Sequence, residues 1–407
     1  MELLNGAFSV TGVLFFVFCL LLVVTGGLIL GRVNIKGVAF GDAGVFLMAL
    51  LFGCFLYGPL EAQLSLTAGE QAVSYATGAI KLIETLGLVL FVTAVGFAAG
   101  PDFFDNLKRH CRSYVLLSLV IVGSGTVLVI GCMLFGRARG ETDGFIAMMT
   151  GLFAGALTST PAFSAAKSAV DPALESMVSV GYGIAYIFGV VGKVMFIQVI
   201  PKLEKADIPK ERERLLTALE KPQDKKQRPL LFQIDPHGLT AFALAAAIGI
   251  LVGSVRFGSS LSLTTTGGCL LVALLFGHFG RIGRLSLVPP EHTLKLLREL
   301  GLLLFLLGAG ISGGTRFVEH FKLIYFVYGV VMTVLPLIIG YVFARHVLKL
   351  GMFNALGSLT GGMTSTPALG SLIKVSGTEA VVAAYAATYP VSLVMMVLVC
   401  QLLIAIF

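Results

Sequence analysis

Long segments without any charged residue are the feature that most constrains the fold of this chain. Residues 8–31, 115–135 and 380–407 are examples, and each is long enough for a helix to cross the hydrocarbon core of a bilayer, which is about 30 Å thick. Charged residues make up 13% of the chain, about half of their share in soluble domains. A transmembrane β-barrel is excluded, because its strands would alternate apolar and polar residues. The sequence therefore predicts an all-α polytopic membrane protein.

The apolar segments form two groups of six around a charged linker. The first group covers residues 8–31, 39–58, 80–99, 113–136, 143–170 and 174–201, and the second covers 238–256, 262–280, 293–313, 322–344, 350–374 and 378–407. The linker is rich in charged residues and too short to bury a core of its own. We expect an N-terminal transmembrane repeat at 1–201, a cytoplasmic linker at 202–237 and a C-terminal transmembrane repeat at 238–407. No basic region precedes the first segment, so we interpret it as a retained span and not as a signal peptide.

Four short blocks recur in the same order in both groups, which indicates a duplication. ALLFG occurs at 49–53 and 273–277, LGLVLF at 86–91 returns as LGLLLF at 300–305, TSTPA occurs at 158–162 and 364–368, and the tyrosines Tyr182 and Tyr186 return as Tyr385 and Tyr389. The offset between the copies falls smoothly from 224 to 214, 206 and 203 residues, as expected if the second copy has shorter loops.

Positive charges near the segment ends indicate how the two repeats are oriented. If the fifth segment of each half is a hairpin that enters and leaves on one face, 11 lysines and arginines lie in inside loops against 6 outside, as the positive-inside rule requires. If that segment crosses once, the first-half loops reverse to three inside and five outside. The count favours hairpins. We therefore expect two inverted repeats, each with about five transmembrane helices and one re-entrant helical hairpin that has a TSTP tip, an architecture typical of transporters.

The repeated pentapeptide predicts a helix that starts inside the membrane. Proline suits the first position of a helix, and Thr160 before it is a good N-cap. A first helix at about 143–156 would end at an unwound tip, Leu157–Thr160, before a new helix from Pro161. Non-helical backbone at membrane depth is tolerated only where it lines a cavity or is buried in protein. Unpaired N–H groups at Ser159 and Thr160, with the nearby hydroxyls and the helix dipole, predict a site for a carboxylate, another small anion or a zwitterion.

The candidate substrate-binding residues belong to the two motifs and to the helices around them. They are Gly155, Thr158, Ser159, Thr160, Pro161, Tyr182, Lys193, Gly361, Thr364, Ser365, Thr366, Pro367 and Tyr385. The competing interpretation is a Pro-kinked helix whose hydroxyls bond to carbonyls four residues back, but the recurrence of the motif in both halves favours a binding site. Lys193 can neutralise an anionic substrate or extend to the membrane interface, and its repeat equivalent lies near the apolar Met396.

The remaining ionisable residues favour structural roles. Lys167 and Lys374 are expected to anchor the hairpins near the membrane face, and Glu84, Asp42 and Asp102 lie at predicted span ends. The six cysteines lie mostly in apolar segments without CxxC spacing, so buried packing is favoured over a disulfide or metal role. No paired-carboxylate site, nucleophile elbow, Walker loop or HExxH helix is present. We predict neither enzyme activity nor a nucleic-acid partner, and no cofactor, with coupling to Na⁺ or H⁺ left open.

The motifs GALTSTPA (155–162) and GGMTSTPA (361–368) in duplicated halves resemble the aspartate:alanine exchanger family, whose halves are the AspT/YidE/YbjL antiporter duplication domains. The resemblance extends over 1–201 and 238–407 and includes the tyrosine-rich helix after each motif. It implies a bacterial inner-membrane exchanger of amino acids or carboxylates, with the N-terminus outside and a cytoplasmic region between the halves. Many members carry regulatory domains there, and this linker is too short to contain them.

These observations predict a secondary active transporter of the exchanger type. Its substrates would be small anionic or zwitterionic metabolites such as acidic amino acids or dicarboxylates, bound at the two hairpin tips. The hairpin-bearing core would slide or rock against the other helices in an elevator-type movement, in a homodimer within the lipid bilayer. An organic-anion transporter coupled to Na⁺ or H⁺ is the nearer alternative. A channel with paired half-helices is less favoured, because aquaporin-like folds have fewer spans and NPA tips.

Overall fold

The computed structural model describes most of the chain. The described residues are 2–3, 8–9, 12–35, 38–39, 41, 43–63, 65–68, 71–109, 113–140, 143–219, 235–257, 261–262, 264–282 and 285–407. Residues 220–234 of the predicted linker, Cys111 and Asp42 lie outside them, as does the side chain of Asp102.

The described residues are predominantly helical. The first half contains α1 (Gly12–Arg32), α2 (Ala43–Phe55), α3 (Tyr57–Gln63), α4 (Tyr75–Arg109), α5 (Ser113–Ala138), α6 (Asp143–Ala156), α7 (Thr160–Ala169) and α8 (Glu175–Leu203), with a 3₁₀ turn at Pro172–Leu174. The linker contains α9 (Ile208–Leu219). The second half contains α10 (Leu239–Gly253), α11 (Thr264–Phe279), α12 (Glu291–His320), α13 (Leu323–Val342), α14 (Met352–Gly362), α15 (Thr366–Ser376) and α16 (Val381–Ile406), with a π-helical turn at Phe343–Val347.

Short antiparallel strand pairs lie between some of the helices. They are β1 (Glu2–Leu3) with β2 (Phe8–Ser9), β3 (Asn34–Ile35) with β4 (Val38–Ala39), β5 (Ser65–Ala68) with β6 (Gln71–Ser74), β7 (Arg256–Phe257) with β8 (Leu261–Ser262), and β9 (Arg281–Ile282) with β10 (Leu285–Ser286). Each pair is a separate two-stranded sheet, and no larger sheet forms among the described residues.

Six helical regions among the described residues are long and apolar enough to cross a bilayer. They lie in α1, α4, α5, α8, α13 with its π-helical turn, and α16. The sequence predicted ten crossings. Three of the others, α2, α10 and α11, have 13, 15 and 16 residues, less than the roughly 20 that a perpendicular span needs. The fourth, α12, has 30 residues and begins with a charged segment.

Large apolar side chains remain exposed on the outer helices. Leu14 on α1, Val127 on α5 and Leu323 on α13 are 73%, 70% and 71% exposed. Exposure of so many such side chains on helices of bilayer length is expected only where lipid surrounds the protein. The protein is therefore a multi-pass membrane protein.

The helices of the two halves pack on each other in reciprocal pairs. In the first half α1 packs on α2, and in the second α10 packs on α11. Across the halves, α4 packs on α11 while α12 packs on α2, and α7 packs on α16 while α15 packs on α8. Within each half, α6 lies on α8 and α14 lies on α16. The main hydrophobic core joins α5–α8 to α13–α16, so neither half folds around a core of its own.

Two equivalent glycines mark the crossing of α4 and α12. A methyl group at Gly87 would overlap the backbone N of Phe305 and the carbonyl oxygen of Gly301, and one at Gly301 would overlap the backbone N of Phe91 and the carbonyl oxygen of Gly87. The two contacts are equivalent, because adding the offset of 214 residues to Gly87 and Phe91 gives Gly301 and Phe305. The repeated glycines therefore allow two equivalent helices to touch backbone to backbone.

The helix pairs that contain the motifs have their bases at opposite ends of α8. Helix pair 1 (Asp143–Ala169) leads directly into the start of α8. Helix pair 2 (Met352–Ser376) contacts residues just beyond its end, because Glu211 accepts a hydrogen bond from Met352 N (2.8 Å) and Arg212 Nε donates to Ser376 O (2.7 Å). With 29 residues, α8 is about 44 Å long at 1.5 Å per residue. The two bases are thus separated by about the thickness of a bilayer.

The end of α8 is fixed to the π-helical turn by a charged contact. Glu204 accepts hydrogen bonds from Tyr341 Oη (2.5 Å) and from Arg345 (2.8 Å). Burial alone would raise the pKa of the Glu204 carboxyl, but these hydrogen bonds and the charge of Arg345 hold it below its usual value. The contact joins the linker-side end of α8 to the segment that leads into helix pair 2.

Candidate functional site

The two TSTPA motifs adopt the same backbone conformation. After α6, the N–H of Thr158 donates to Gly155 O and the N–H of Ser159 donates to Ala154 O, each at 2.9 Å. After α14, the N–H groups of Thr364 and Ser365 donate to Gly361 O and Thr360 O, each at 3.0 Å. This is the Schellman arrangement that ends a helix with a left-handed residue. We call Leu157–Ser159 tip 1 and Met363–Ser365 tip 2.

A threonine occupies the left-handed position at each tip. Thr158 has φ +57° and Thr364 has φ +51°. Glycine is the usual residue there, and a β-branched residue in this region costs on the order of 1–3 kcal/mol. Because both motifs have threonine where glycine would be less strained, we infer that the threonine side chains are needed at the tips.

The serines, rather than the threonines predicted from sequence, occupy the N-cap positions. Ser159 has extended φ and ψ, and its Oγ accepts a 3.4 Å hydrogen bond from Ala162 N, three residues on. Thr160 is already the first residue of α7. The prediction of an unpaired N–H at Ser159 was also wrong, since that group closes the Schellman turn. The N-terminal anion site inferred from sequence is therefore smaller than expected.

The two tips touch each other through reciprocal hydrogen bonds. Thr158 Oγ1 donates to Met363 O at 3.4 Å, and Thr364 Oγ1 donates to Leu157 O at 3.5 Å. Each threonine thus bonds to the residue that precedes the other threonine. The contact is self-complementary and lies between helix pairs whose bases are far apart.

Lys193 lies at this contact and does not extend towards the end of α8. Its side chain is buried, with 1% exposure, and Nζ donates to Thr158 Oγ1 at 2.8 Å. No ion pair of Lys193 exists within the part of the chain that the structure describes. The charged form of a buried lysine is costly without a carboxylate partner, so an added anion would stabilise that form at this position.

Aromatic side chains close tip 1. The ring of Phe163 stacks on Tyr182 with 4.0 Å between centroids, and Phe46 of α2 packs edge-on against both rings. The hydroxyls of Tyr182 and Thr160 are 3.4 Å apart. Tyr182 is 1% exposed, and Pro161 is buried as well. Helix pair 1 therefore presents a closed face.

The residues just after tip 2 are more exposed than those just after tip 1, although both motifs read TSTPA. Thr366 is exposed, whereas its equivalent Thr160 is half-buried. Pro367 is half-buried, whereas its equivalent Pro161 is buried. Ser365 makes no capping bond, and its Oγ is buried without a hydrogen-bond partner. The equivalent of Phe163 is Leu369, so no aromatic stack covers Tyr385, which instead stacks on Tyr389 at 5.1 Å.

Gly155 and Gly361 allow each helix pair to pack on the helix that follows it. A methyl group at Gly155 would come within 2.5 Å of Tyr182 O. One at Gly361 would overlap Tyr385 O and Thr388 Oγ1. The predicted glycines and tyrosines therefore meet through their backbones, and this contact positions the tips.

Several polar residues near the tips escaped the sequence analysis. Ser392 Oγ on α16 is buried without a hydrogen-bond partner and lies 3.8 Å from where a methyl group on Gly362 would sit. Thr333 Oγ1 on α13 donates to Ala156 O, just before tip 1, at 3.2 Å. Neither residue belongs to a repeated block, so the duplication gave no signal for them.

A buried ion pair corrects two further predictions. Lys167, expected to anchor at the membrane face, is 3% exposed, and Glu84, placed at a span end, is 4% exposed. They form an ion pair with each other. The error arose because α4 begins at Tyr75 and continues past the predicted span start, so Glu84 lies well inside the helix.

The arrangement can hold a small anion between opposed helix ends. It offers an ammonium group, threonine and serine hydroxyls and the N-terminus of α15, whose dipole favours negative charge. No cluster of histidine, cysteine or carboxylate ligands suited to a metal ion occurs among the described residues. The chemistry favours binding of a carboxylate or a zwitterion without covalent change.

Comparisons with known proteins agree with this description. A family described as a predicted permease membrane region matches residues 18–202 and again 241–405. Similar proteins include uncharacterized transporters of Bacteroides thetaiotaomicron, Desulfotalea psychrophila and Rhodopirellula baltica, which are 24%, 24% and 25% identical. The alignments cover 95%, 95% and 92% of this chain and 97%, 96% and 96% of the relatives.

The relatives contain segments that this chain lacks. The three alignments run over 548, 555 and 544 positions, more than the 407 residues of this chain. The two matched ranges in this chain are separated only by residues 203–240. This region includes α9.

Proposed function

Because the chain belongs to the aspartate:alanine exchanger family of membrane transporters, we propose that it is a secondary exchanger of small carboxylates or amino acids with its substrate site at the two tips. A role as a membrane transporter follows from the family and from the similar transporters. The exchange mode, the substrate class and the site are the proposal, and they rest on the geometry of the tips.

The single observation that carries the proposal is the position of Lys193. Its amino group is buried against Thr158 at the contact between the tips and lacks an acidic partner among the described residues. A substrate carboxylate would supply the missing charge, and the hydroxyls of Thr158 and Thr364 lie at the same contact. A zwitterion would satisfy the ammonium with its carboxylate and leave its own amino group for the hydroxyls and carbonyls.

The orientation of the helix pairs supports alternating access. Their bases lie at opposite ends of α8 and their tips meet in between, which is the arrangement expected of two re-entrant hairpins in an inverted repeat. Exposed Thr366 and buried Tyr182 indicate that this state is open beside tip 2 and closed beside tip 1. Movement of the tip-bearing helices relative to α4 and α12 would reverse the two environments.

Counterflow in proteoliposomes tests the exchanger. Purified protein is reconstituted into vesicles that contain unlabelled L-aspartate, L-alanine or succinate, and uptake of the labelled solute is measured at equal pH on both sides. We expect uptake that depends on the solute inside. Absence of counterflow with every amino acid and carboxylate tried would refute the exchanger.

Substitution of Lys193 by methionine tests the site. We expect Lys193→Met to weaken binding of the anionic solute by about 30-fold or more, because truncating one partner of a buried charge pair costs about 2–5 kcal/mol. The melting temperature should not fall, since the lost ammonium has no acidic partner. Lys202→Met is the matched control, because Lys202 is an exposed residue near the end of the same helix. Equal affinities of the two variants would place the site elsewhere.

Substitution of Thr158 by glycine tests the role of the tip hydroxyl separately from folding. Thr158→Gly relieves the left-handed strain, so we expect the folded protein to be at least as stable in a thermal melt. The same change removes the hydroxyl that links Lys193 to tip 2, and substrate affinity should therefore fall. Full affinity in this variant would show that the threonine serves only the backbone.

A further inference from the structure

The buried ion pair between Lys167 and Glu84 joins helix pair 1 to α4 away from the tips. The two side chains are 4% and 5% exposed. Glu84 Oε2 and Lys167 Nζ are also buried, and neither makes a hydrogen bond to any residue that the structure describes. The pair therefore places a carboxylate with unused acceptor capacity inside a membrane-crossing helix, where ionisable residues mark ion pathways and proton relays.

The fold does not require this pair for packing. At the equivalent positions of the second half, by the offsets of 214 and 206 residues, lie Arg298 and Ile373. The second half folds in the same way without a carboxylate there. Removing one partner of a buried ion pair is strongly destabilising, whereas apolar replacement of both is often neutral, so a purely structural pair would bring little benefit.

Under the proposed exchanger function, on which this inference rests, helix pair 1 moves relative to α4. We propose that Glu84 is a proton-binding site that couples this movement to uptake of a proton. As the contact with the Lys167 ammonium breaks, a proton from water adds to a carboxylate oxygen of Glu84, and it returns to water when the pair forms again.

The surroundings of Glu84 contain few other charges that could take this role. One turn earlier on α4, Lys81 pairs with Glu175 at the start of α8. From α12 the facing residue is Gly308, where a methyl group would come within 2.5 Å of Glu84 Cβ. Within their described bounds, α10, α11 and α16 carry no acidic or basic residue except His278 near the end of α11, and α3 carries Glu61. Lys167 is thus the one charged partner that separation would remove.

Proton movement during exchange tests the proposal. Vesicles loaded with unlabelled L-alanine and a trapped pH-sensitive dye receive labelled L-aspartate, or succinate if counterflow identifies it as the solute. We expect the wild-type protein to move protons with the solute. A gradient of one pH unit should change the steady-state solute distribution by about tenfold for one coupled proton, since one pH unit is equivalent to about 1.4 kcal/mol.

The double variant Glu84→Gln with Lys167→Met removes both charges and avoids leaving one buried and unpaired. We expect it to retain counterflow at equal pH while proton movement and the response to the gradient are lost. Lys81→Met with Glu175→Gln is the matched control, because it removes the neighbouring, more exposed pair, which joins α4 to α8. That control should couple like the wild type.

The outcomes distinguish this inference from the exchanger function itself. Absence of counterflow in the wild type contradicts the exchanger. Counterflow without proton movement in the wild type, or undiminished proton movement in the double variant, overturns only the coupling role of Glu84. The wild-type measurement keeps the test decisive even if the double variant does not fold.

Discussion

Tip 1 and tip 2 have the same pentapeptide and the same strained backbone, but their surroundings differ. At tip 1 the aromatic residues Phe163, Tyr182 and Phe46 cover the motif. At tip 2, Thr366 is exposed and Leu369 replaces the phenylalanine. The local sequence therefore determines the backbone conformation of each tip. The helices packed around the motif determine how exposed its residues are.

The same asymmetry extends to the helices that flank the tips. α8 packs along α12, whereas the equivalent α16 has only a small contact with α4. Lys81 pairs with Glu175. Lys295 corresponds to Lys81, and Glu379 is the acidic residue beside the position equivalent to Glu175. These two residues form no ion pair within the described part of the chain, and both are exposed. A symmetric sequence in an asymmetric conformation suggests a second state in which the halves exchange their environments.

Disulfide cross-links should give the largest effect, because each would lock one state and stop exchange completely. In a background in which the six native cysteines are replaced by alanine, Lys81→Cys with Glu175→Cys should be joined by a short bis-methanethiosulfonate reagent in the state described here, because the native side chains reach each other. Lys295→Cys with Glu379→Cys should cross-link in the opposite state. Cross-linking is measured by gel mobility, and counterflow is measured before and after reduction.

The mixed pair Lys81→Cys with Glu379→Cys is the control for these cross-links. It should not react, because one residue comes from the pair in the first half of the chain and the other from the pair in the second half. If Lys295→Cys with Glu379→Cys never cross-links during turnover, the two halves do not exchange their environments. The difference between the tips would then not reflect a step of transport.

Exchanging the residues that cover the tips should give an intermediate effect. Phe163→Leu gives tip 1 the residue of tip 2, and Leu369→Phe does the opposite. We expect the first change to speed labelling of Thr160→Cys by a membrane-impermeant maleimide by about 2- to 10-fold, since aromatic stacking contributes about 0.5–1.5 kcal/mol. The second should slow labelling of Thr366→Cys. Unchanged rates would mean that other elements control access to the tips.

Removing the contacts of α9 should give the smallest effect and only at helix pair 2. Arg212→Ala removes the bond to Ser376 O at the end of α15, and Glu211→Gln weakens the bond from Met352 N at the start of α14. We expect amide hydrogen exchange near Met352 and Ser376 to rise about fivefold, equivalent to about 1 kcal/mol. Helix pair 1 is the internal control, and an equal rise there would show a general loss of stability.

Much of the candidate site could be predicted from sequence, because the residues of the pentapeptide themselves determine where one helix ends and the next begins. The break after Ala156 and the new helix near Pro161 agree with the predicted bounds to within one residue. The N-cap was wrong by one residue, because the Schellman turn uses Thr158 as its left-handed residue and leaves Ser159 to cap α7. That choice depends on the hydrogen bonds of the folded turn, which propensity alone does not reveal.

The long-range partners could not be predicted in the same way. Lys193 had two equal interpretations in the sequence, since a lysine eight residues from a span end can reach either the interface or the protein interior. Lys167 and Glu84 are far apart in the chain, and the repeat gives no counterpart for their pairing. Only packing of α7 against α4 brings those two charges together.

The sequence by itself determined that the chain crosses a membrane, that its halves are duplicated, and that each half contains an interrupted helix with a fixed backbone. These properties follow from hydrophobicity, repetition and the chemistry of threonine, serine and proline over a few neighbouring residues. The tertiary structure decided that the tips touch, that Lys193 lies at their contact, and that the residues after tip 2 are more exposed than those after tip 1. Those properties depend on which helices pack together, and a symmetric sequence permits two such arrangements.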